Sequence, residues 1–451
     1  DWAKRNYFLE FPLVFPSLLA EGTGLIRDAQ RHSEARKQVD REAEACLSWL
    51  QKVLGLPGFN PNSYLQVRGV LHLLTGKQHE ESDEVYLKKI SFLHPFNDLI
   101  LGRILEYRGL IKLRGTYLRT DDDAKKSGEG GAKEYRGHIL YALNPHGTET
   151  GRNSCKESAL WCGFQIQNIP RDGPVKSTIR ATEGFYLAEC DLEQAESRDT
   201  AFISGDTTLI DAVSSGQDFH SFNASKFFGV PYASIYDDEA KKSLNKSLRQ
   251  MAKPINHGAN YNMGAKVLVD TMGVENVWNA HRLLGLSVKF PKIKWTTLKI
   301  AEYLLAQFDK TYTKIRGEFQ DEIKREVLLT GHLTGIRGWT RKVFGDPTKS
   351  KPLLNSLVAH SPQNLSAMII NDAWERAWWE LHDPKDFRLI VSIHDSILGQ
   401  YRGESGKAKL DRLLEIMHIP VTVPRSGKTF IIPAALEVWG DRWKKEKVAK
   451  S

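Results

Sequence analysis

Carboxylates follow a hydrophobic run at one point of the chain, in the stretch LAECDLEQAESRD at residues 187–199. Asp191 ends the run, and three further carboxylates follow within eight residues: Glu193, Glu196 and Asp199. A second aspartate, Asp395, stands in a polar His-Asp-Ser tip inside the apolar stretch RLIVSIHDSILGQY at residues 388–401. For either aspartate alone, a turn or cap residue is the commoner explanation. Together, two carboxylates at strand ends satisfy the requirement of a two-metal phosphoryl-transfer site, whose ions lie roughly 3.5–4 Å apart.

Magnesium is the metal that such a site favours. It takes oxygen ligands and keeps water and phosphate in its coordination shell. We therefore expect two Mg²⁺ ions as the cofactor, for which Mn²⁺ can substitute.

A basic stripe is predicted on one face of a helix in SLRQMAKPINHGANY, residues 247–261. Arg249, Lys253 and His257 recur at every fourth position, and Tyr261 continues the series, so the four side chains share a face. Two cations one turn apart can hold a triphosphate. A solvated basic face is the commoner explanation for a stripe of this kind.

The elements that must position these residues alternate between helical and strand-like patterns. Residues 34–54 have apolar side chains at helical spacing, and residues 207–310 are mostly helical in pattern. HILYALN, GFYLAEC and the run around Asp395 are typical of strands. Residues 121–133 have no apolar anchor and are expected to form a flexible excursion. The order predicts a helical N-terminal part, a sheet that contains Asp191, a helical insertion, and a return to the sheet.

Length, charge and cysteine usage limit the class of protein. A chain of 451 residues exceeds one small core, so two or three packed subdomains are expected. Lys and Arg outnumber Asp and Glu by 63 to 55, and this net charge of +8 favours a polyanionic partner. The four cysteines form no CxxC pair, which argues against a zinc site and favours a reducing compartment. No apolar run approaches the roughly 18 residues that span a bilayer, and no signal-peptide pattern is present, so no membrane partner is expected.

Co-linear stretches resemble the polymerase domain of the family A DNA polymerases, the bacterial DNA polymerase I group. CDLEQAESR resembles motif A of that family, RQMAKPINHGANY resembles motif B, and SIHDS resembles motif C. ILEYRGLIKLRGTYL resembles the end of the thumb, and TGRNSCKESALWCGFQIQNIPRD resembles the segment that follows the primer–template. DFHSFNASKFFGVP resembles the segment that leads into the fingers, and LEVWGDRW resembles the C-terminal strand and tail.

The resemblance implies an α+β right-hand polymerase fold with an antiparallel-sheet palm, helical fingers and a helical thumb. The implied parts are a lead-in to the thumb (1–33), the thumb (34–137), the first part of the palm with motif A (138–206), the fingers with motif B (207–310), and the second part of the palm with motif C and a tail (311–451). The implied activity is DNA-templated extension of a primer 3′ end with dNTPs. Primer–template DNA, dNTPs and replication accessory proteins are the implied partners. Too few residues precede the first helix for a 3′–5′ exonuclease domain, so this chain is not expected to proofread.

Roles for single residues also follow from the resemblance. Asp191 and Asp395, with the Leu192 carbonyl, would bind the metal ions. Glu196 would fill the space of a ribose 2′-hydroxyl and so exclude ribonucleotides. The implied nucleotide-binding residues are His220, Arg249, Lys253, His257 and Tyr261, and Lys253 is also an implied catalytic residue. Arg152 and Gln363 would read the minor-groove side near the primer terminus, where geometry can be checked without reading sequence, with Gln167 and Asn168 in the same region.

Two other carboxylates in this stretch are expected to have no such role. Glu193 and Asp199 are expected to be surface carboxylates near a helix start, where the helix dipole favours negative charge.

Departures from the family pattern leave two alternatives open. Ser396 stands where motif C usually has glutamate, and His-Asp-Ser occurs in single-subunit phage-type RNA polymerases. A single-subunit RNA polymerase or primase-like enzyme is therefore the second hypothesis, and a non-catalytic DNA-binding relative is the third. His257 stands where the family has Phe or Tyr. The unusual motifs favour a phage-type source. The expected location is the cytoplasm of a bacterial cell or a phage-infected host, with an organellar source left open.

Overall fold

The structure is a computed structural model that describes residues 2–94, 97–120, 123, 137–145, 147–156, 163–170 and 173–443. The excursion expected at residues 121–133 lies outside these residues except for Asp123. Across the described ranges, every helix is too short or too polar to cross a membrane.

The N-terminal part is helical, as predicted, apart from one short strand. Its elements are α1 (Trp2–Thr23), β1 (Leu25–Arg27), α2 (Ala29–Leu54), α3 (Tyr64–Thr75), α4 (Glu84–Leu93) and α5 (Asp98–Thr116). α2 begins at Asp28, whose side chain accepts a hydrogen bond from the backbone N–H of Arg31, and it ends at Gly55 with φ of 65°. Buried side chains of α2 to α5 form a core of their own, which includes Leu50, Val67 and Leu101.

Short strands and a helical insertion follow. The strands are β2 (His138–Ile139), β3 (Ala142–Asn144), β4 (Ser154–Lys156), β5 (Ile179–Arg180) and β6 (Tyr186–Leu192). The insertion contains α6 (Ala195–Ser204), α7 (Thr207–Ser214), α8 (Phe219–Phe228), β7 (Tyr236–Asp237), β8 (Lys242–Ser243), α9 (Lys246–Asn260), α10 (Ala265–Met272), α11 (Val274–Leu284), α12 (Leu286–Lys289) and α13 (Thr297–Thr311). Short 3-10 helices lie at Ile166–Asn168, Lys176–Thr178 and Tyr232–Ser234.

The chain then returns to the sheet, as predicted from the pattern around Asp395. After a π-helix (Ile315–Phe319) come α14 (Gln320–Thr330), β9 (His332–Thr334), β10 (Thr340–Lys342), α15 (Lys351–Leu381), β11 (Phe387–Ile393), β12 (Ser396–Tyr401), α16 (Gly403–Met417), β13 (Val421–Thr422), β14 (Thr429–Phe430) and β15 (Ala434–Gly440).

A four-stranded antiparallel sheet lies at the centre of the fold, in the order β11-β12-β6-β15. β6 and β12 are its inner strands, and Asp191 of β6 lies opposite Ser396 of β12. α15 and α16 pack against this sheet, and their buried residues join it in the largest core, together with Tyr141 and Trp443. The helical insertion has a separate core that contains Phe219, Phe227 and Phe308. Two smaller clusters of buried residues contain Leu357 and Trp339, respectively. The division into two or three packed subdomains stays a prediction.

One buried histidine makes the stability of this fold depend on pH. His360 of α15 is fully buried, and neither ring nitrogen has a hydrogen-bond partner among the described residues. Burial, assisted by the charge of Arg341, lowers the pKa of His360 to about 3, whereas an unfolded histidine titrates near ~6.5. Between these two values the unfolded chain binds a proton that the folded chain does not. The stabilising effect of the neutral ring is therefore complete above pH ~6.5 and is lost as the pH falls, by ~1.4 kcal/mol per pH unit.

We expect His360→Leu to weaken the acid sensitivity of the fold. Between pH 7 and pH 5, the thermal unfolding midpoint of the parent should fall more steeply than that of the variant, because leucine has no proton to bind. The measurement is thermal unfolding across this pH range, with the exposed His72→Gln as a matched control. Parallel pH profiles for the parent and His360→Leu would contradict this assignment.

Candidate active site

The two aspartates singled out in the sequence lie at the same end of the two inner strands. Asp191 is the last residue but one of β6, and Asp395 is the residue before β12. The backbone N–H of Leu192 donates to the Asp395 carbonyl oxygen at 2.9 Å, so the two strand ends are directly bonded. His394 has φ of +53°, the left-handed backbone of the tight turn that presents Asp395. The fold thus brings together two carboxylates that are far apart in sequence.

A further carboxylate, Glu189, lies on the same face of β6 and is absent from the residues predicted from the sequence. Alternate residues of a strand share a face, so Glu189 and Asp191 project from the same side of the sheet. The hydroxyl of Ser396, the residue that departs from the family pattern, donates to Glu189 Oε1 at 2.7 Å. The spacing of two residues from Asp191 is the signal that could have identified Glu189.

Glu196 is the centre of a polar cluster beside these aspartates. Arg152 Nη2 lies 2.5 Å from Glu196 Oε1 and 3.5 Å from Asp395 Oδ1, so one guanidinium links both carboxylates. The Tyr261 hydroxyl donates to the other oxygen of Glu196. His257 Nε2 lies 4.0 Å from that same oxygen. Four of the residues predicted for the site therefore meet around Glu196.

Burial shifts the pKa of two members of this cluster. Burial raises the pKa of Asp395, with Glu196 adding to the effect and Arg152 opposing it. Burial and the neighbouring Glu196 raise the pKa of Tyr261, so its hydroxyl stays protonated and acts as a donor.

The basic stripe lies on α9 as predicted. Arg249 forms a bidentate pair with Asp218, since its Nε and Nη2 donate to the two carboxylate oxygens of Asp218 at 2.9 and 3.0 Å. Asp218 is also the N-cap of α8 and accepts from the backbone N–H of Ser221. Lys253 is exposed one turn further along α9. The sequence analysis did not predict the partner of Arg249, because Asp218 precedes it by 31 residues.

His220 lies against this stripe as a neutral ring. Burial, together with the charges of Arg249 and Lys253, lowers the pKa of His220 to about 4. Its Nδ1 is buried and has no hydrogen-bond partner among the described residues. At neutral pH His220 therefore presents a hydrogen-bonding group and no charge.

The residues predicted to contact DNA, apart from Arg152, lie in a 3-10 helix and on α15. Gln167 Nε2 donates to the Ser392 carbonyl at 2.8 Å, and a small pocket is lined by Gln167, Arg152, Ser392 and His394 among others. Asn168 lies in the same 3-10 helix as Gln167, and its side chain donates to Gln165 Oε1 at 2.7 Å. Gln363 lies on α15 with a partly exposed side chain.

Asp199 was predicted to be a surface carboxylate, and this prediction is wrong. Its side chain is fully buried on α6 and accepts a hydrogen bond from the Ser366 hydroxyl of α15 at 2.6 Å. α15 packs on the face of α6 that carries Asp199, and this contact covers the carboxyl. Glu193, by contrast, is exposed as predicted.

The donor set at the strand ends fits magnesium. Asp191 is exposed at the end of β6, and Asp395 is partly exposed at the adjoining turn, so both can offer hard oxygen ligands to one site. Within the described ranges, no three His, Cys, Asp or Glu side chains form a complete protein cage for a metal. Asp191, Asp395 and main-chain oxygen would therefore share an ion with water and phosphate oxygens, which is how Mg²⁺ is usually bound.

Comparisons with known proteins agree over nearly the whole chain. The profile of DNA polymerase family A matches residues 29–431. The thermostable DNA polymerase I of Thermus aquaticus is 30% identical over 445 residues, which cover 94% of this chain and 47% of that protein. A DNA polymerase I of Thermus thermophilus is 31% identical over 436 residues, with 92% and 46% covered, and that of Helicobacter pylori is 26% identical over 447 residues, with 94% and 43% covered. The chain spans about half the length of these curated relatives.

A solved structure has the same fold. It is the polymerase domain of Pol1 from M. smegmatis in complex with DNA primer–template and dNTP, and it matches with a TM-score of 0.74 at 19% identity over 96% of this chain and 70% of that chain. The predicted α+β polymerase fold is thereby confirmed. Because the family profile extends over most of the residues, the chain belongs to DNA polymerase family A.

Proposed function

We propose that this chain is a DNA-templated DNA polymerase that extends a primer 3′ end with dNTPs by two-metal-ion phosphoryl transfer. The observation that carries the proposal is the pairing of Asp191 and Asp395 at bonded strand ends, next to the cluster around Glu196. Membership of family A and the relatives named DNA polymerase I support it. The absence of CxxC pairs supports a reducing compartment, and we propose the cytoplasm of a bacterium or a phage-infected host.

The metal ligands in this proposal are Asp191, Asp395 and the Leu192 carbonyl oxygen. They would hold two Mg²⁺ ions, or Mn²⁺ in their place. When bound, such ions lower the pKa of the attacking hydroxyl and stabilise charge on the attacking and leaving oxygens.

The residues of α9 and α8 would bind the triphosphate. Lys253 Nζ, exposed on α9, would hold a positive charge and a transferable proton beside the leaving phosphates. The charge of Arg249 is already paired with Asp218, and its guanidinium would donate to a phosphate in addition to this carboxylate. His220, neutral at pH 7, would donate or accept a hydrogen bond through its unpartnered Nδ1.

Glu196 would act as a gate against ribonucleotides. Arg152 and Tyr261 each hold one of its oxygens, so its side chain has little freedom to move away from an extra hydroxyl. His257 and Tyr261 would lie near the sugar and base of the incoming nucleotide.

Primer–template DNA would lie along the residues with implied DNA contacts. Arg152 and Gln363 would read the minor-groove side near the primer terminus, with Gln167 and Asn168 beside them. In this reading residues 34–137 form the thumb, 207–310 the fingers, and 138–206 with 311–451 the palm. Replication accessory proteins are a further proposed class of partner.

Primer extension on a defined template tests the proposal. We expect template-directed addition of dNTPs that depends on Mg²⁺ or Mn²⁺ and stops with a chelator, with NTPs used poorly. A preference for NTPs would favour the RNA polymerase alternative that Ser396 raises. Binding of primer–template without any nucleotide addition would identify a non-catalytic relative.

Alanine at Lys253 should cost more in kcat than alanine at Arg249. Lys253 offers an exposed charge to the reacting phosphates, whereas Arg249 is already paired with Asp218. We expect a fall in kcat of ~10²-fold or more for Lys253→Ala and a smaller change for Arg249→Ala. Single-turnover nucleotide addition measures both, with the exposed Lys266→Ala of α10 as the matched control. Equal and small effects would mean that the stripe is only a solvated basic face.

A further inference from the structure

A buried carboxyl lies one helical turn behind Glu196. Asp199 is three residues after Glu196 on α6 and is fully buried. Its Oδ2 accepts the hydrogen bond from Ser366, which is also fully buried. Its other oxygen, Oδ1, has no hydrogen-bond partner among the described residues. None of the roles proposed so far uses this pair.

Such a carboxyl is costly to bury and calls for a compensating role. Burial raises the pKa of Asp199 well above its ordinary range, with Asp395 and Glu196 adding and Ser366 and Arg152 opposing. Geometry limits what the group can do, because its single described partner is the Ser366 hydroxyl and it can act only through that hydrogen bond and its shape. An apolar side chain would fill the same space without the cost of an incompletely bonded polar group.

The partner helix α15 also holds the segment that carries Arg152. Asn364 Nδ2 donates to the Thr150 carbonyl at 3.0 Å, and Asn371 Nδ2 donates to the Gly151 carbonyl at 3.0 Å. These bonds fix the backbone directly before Arg152.

These hydrogen bonds form a closed ring that connects α15, α6, Glu196 and the Arg152 segment. α15 holds α6 through Ser366 and Asp199, α6 carries Glu196, Glu196 bonds to Arg152, and the Arg152 segment returns to α15 through two asparagines. Loss of one hydrogen bond in this ring, such as that between Ser366 and Asp199, would let α6 move relative to α15. Glu196 would then shift against Arg152 and Tyr261.

We propose that Asp199 and Ser366 are positioning residues that fix α6 against α15 and thereby set how strictly Glu196 excludes ribonucleotides. The proposal rests on the proposed function, in which Glu196 is the gate. It assigns to a buried pair outside the nucleotide site a part in sugar selection.

Three variants test the pair. Ser366→Ala removes the donor, Asp199→Val removes the carboxyl at similar size, and Asp199→Asn keeps a side chain of the same shape whose oxygen can accept from Ser366. We expect the ratio of kcat/KM for dNTP over NTP to fall about tenfold in the first two, the scale of one lost buried hydrogen bond. Asp199→Asn should stay within about twofold of the parent, since an isosteric side chain with an accepting oxygen preserves the hydrogen bond from Ser366. Ser361→Ala, at a partly exposed position of the same helix, is the control and should not change the ratio.

The thermal unfolding midpoint of each variant separates positioning from stability alone. A general packing role would lower the midpoint and leave the ratio at the parental value, and that result in folded Ser366→Ala and Asp199→Val would overturn the proposal. Loss of discrimination in Asp199→Asn equal to that in Asp199→Val would also overturn it, because a neutral acceptor would then be insufficient.

Glu196→Ala, alone and combined with Ser366→Ala, distinguishes this proposal from the proposed function. If the pair acts through Glu196, adding Ser366→Ala to Glu196→Ala should change the ratio no further. Additive losses would show that the pair acts elsewhere and would overturn the inference alone. If Glu196→Ala still excludes NTPs fully, Glu196 is not the gate. That result would overturn this part of the proposed function and also the present inference, which depends on it.

Discussion

Replacement of Asp395 by alanine is expected to abolish nucleotide addition while leaving primer–template binding close to that of the parent. Asp395 lies at the turn between β11 and β12, and its main chain is bonded to Leu192, the neighbour of Asp191. A carboxylate in this position would act on charge that develops only in the transition state, so its loss affects kcat far more than binding. We expect kcat to fall by ~10³-fold or more, the equivalent of several kcal/mol of lost transition-state stabilisation. Asp191→Ala should behave in the same way.

Single-turnover addition and duplex affinity have to be measured on the same variants. Duplex affinity depends mainly on Lys and Arg contacts to phosphates, so it should be compared at one fixed salt concentration. Glu193→Ala is the matched control, because Glu193 is an exposed carboxylate of the same segment, and its kcat should equal that of the parent. Turnover above about one per cent of the parent in either aspartate variant would contradict the two-metal assignment, since that loss is under 3 kcal/mol.

The elements that carry the candidate site residues could be predicted from the sequence, because the spacing of these residues repeats that of helices and strands. Arg249, Lys253 and His257 share a face of α9 because helical periodicity alone dictates it. Asp191 and Asp395 could be assigned to strand ends because each borders an apolar run.

Contacts between distant segments could not be predicted. The burial of Asp199 depends on α15 packing across α6, and nothing in the local spacing distinguishes it from the exposed Glu193. The pairing of Arg249 with Asp218 joins two helices of the insertion. In both cases the deciding fact is which helix faces the side chain, and that is a property of the tertiary fold.

The strained backbone beside the site could not be predicted from the sequence either. Gln194, Asn262 and His394 all have positive φ, at 55°, 58° and 53°. Gln194 precedes the helix of Glu196, Asn262 follows Tyr261, and His394 precedes Asp395. Non-glycine residues adopt this conformation at a cost of ~1–3 kcal/mol and do so mainly where the surrounding structure imposes it. The three turns that carry the candidate site residues are therefore held by packing against local preference.

Replacement of Glu196 by alanine is expected to admit ribonucleotides. The side chain is held by Arg152 on one oxygen and Tyr261 on the other, and in our proposal it fills the space that a 2′-hydroxyl needs. We expect the dNTP/NTP ratio of kcat/KM to fall by ~10²-fold or more. The rate with dNTPs should also fall, by ~10-fold, because Arg152 and Tyr261 lose a partner inside a partly buried cluster.

The variant Glu196→Gln tests whether the rejection of NTPs depends on the volume or on the charge of the side chain. Glutamine keeps the length and shape of the side chain and can still accept from Tyr261, but it has no negative charge to pair with Arg152. If the gate acts by occupied space, Glu196→Gln should reject NTPs nearly as well as the parent even where its dNTP rate is reduced. If rejection depends on charge, Gln and Ala should admit NTPs alike. Primer extension with matched dNTP and NTP over a range of concentrations measures both ratios. NTP exclusion at the parental level in Glu196→Ala would place the gate elsewhere and would strengthen the RNA polymerase alternative.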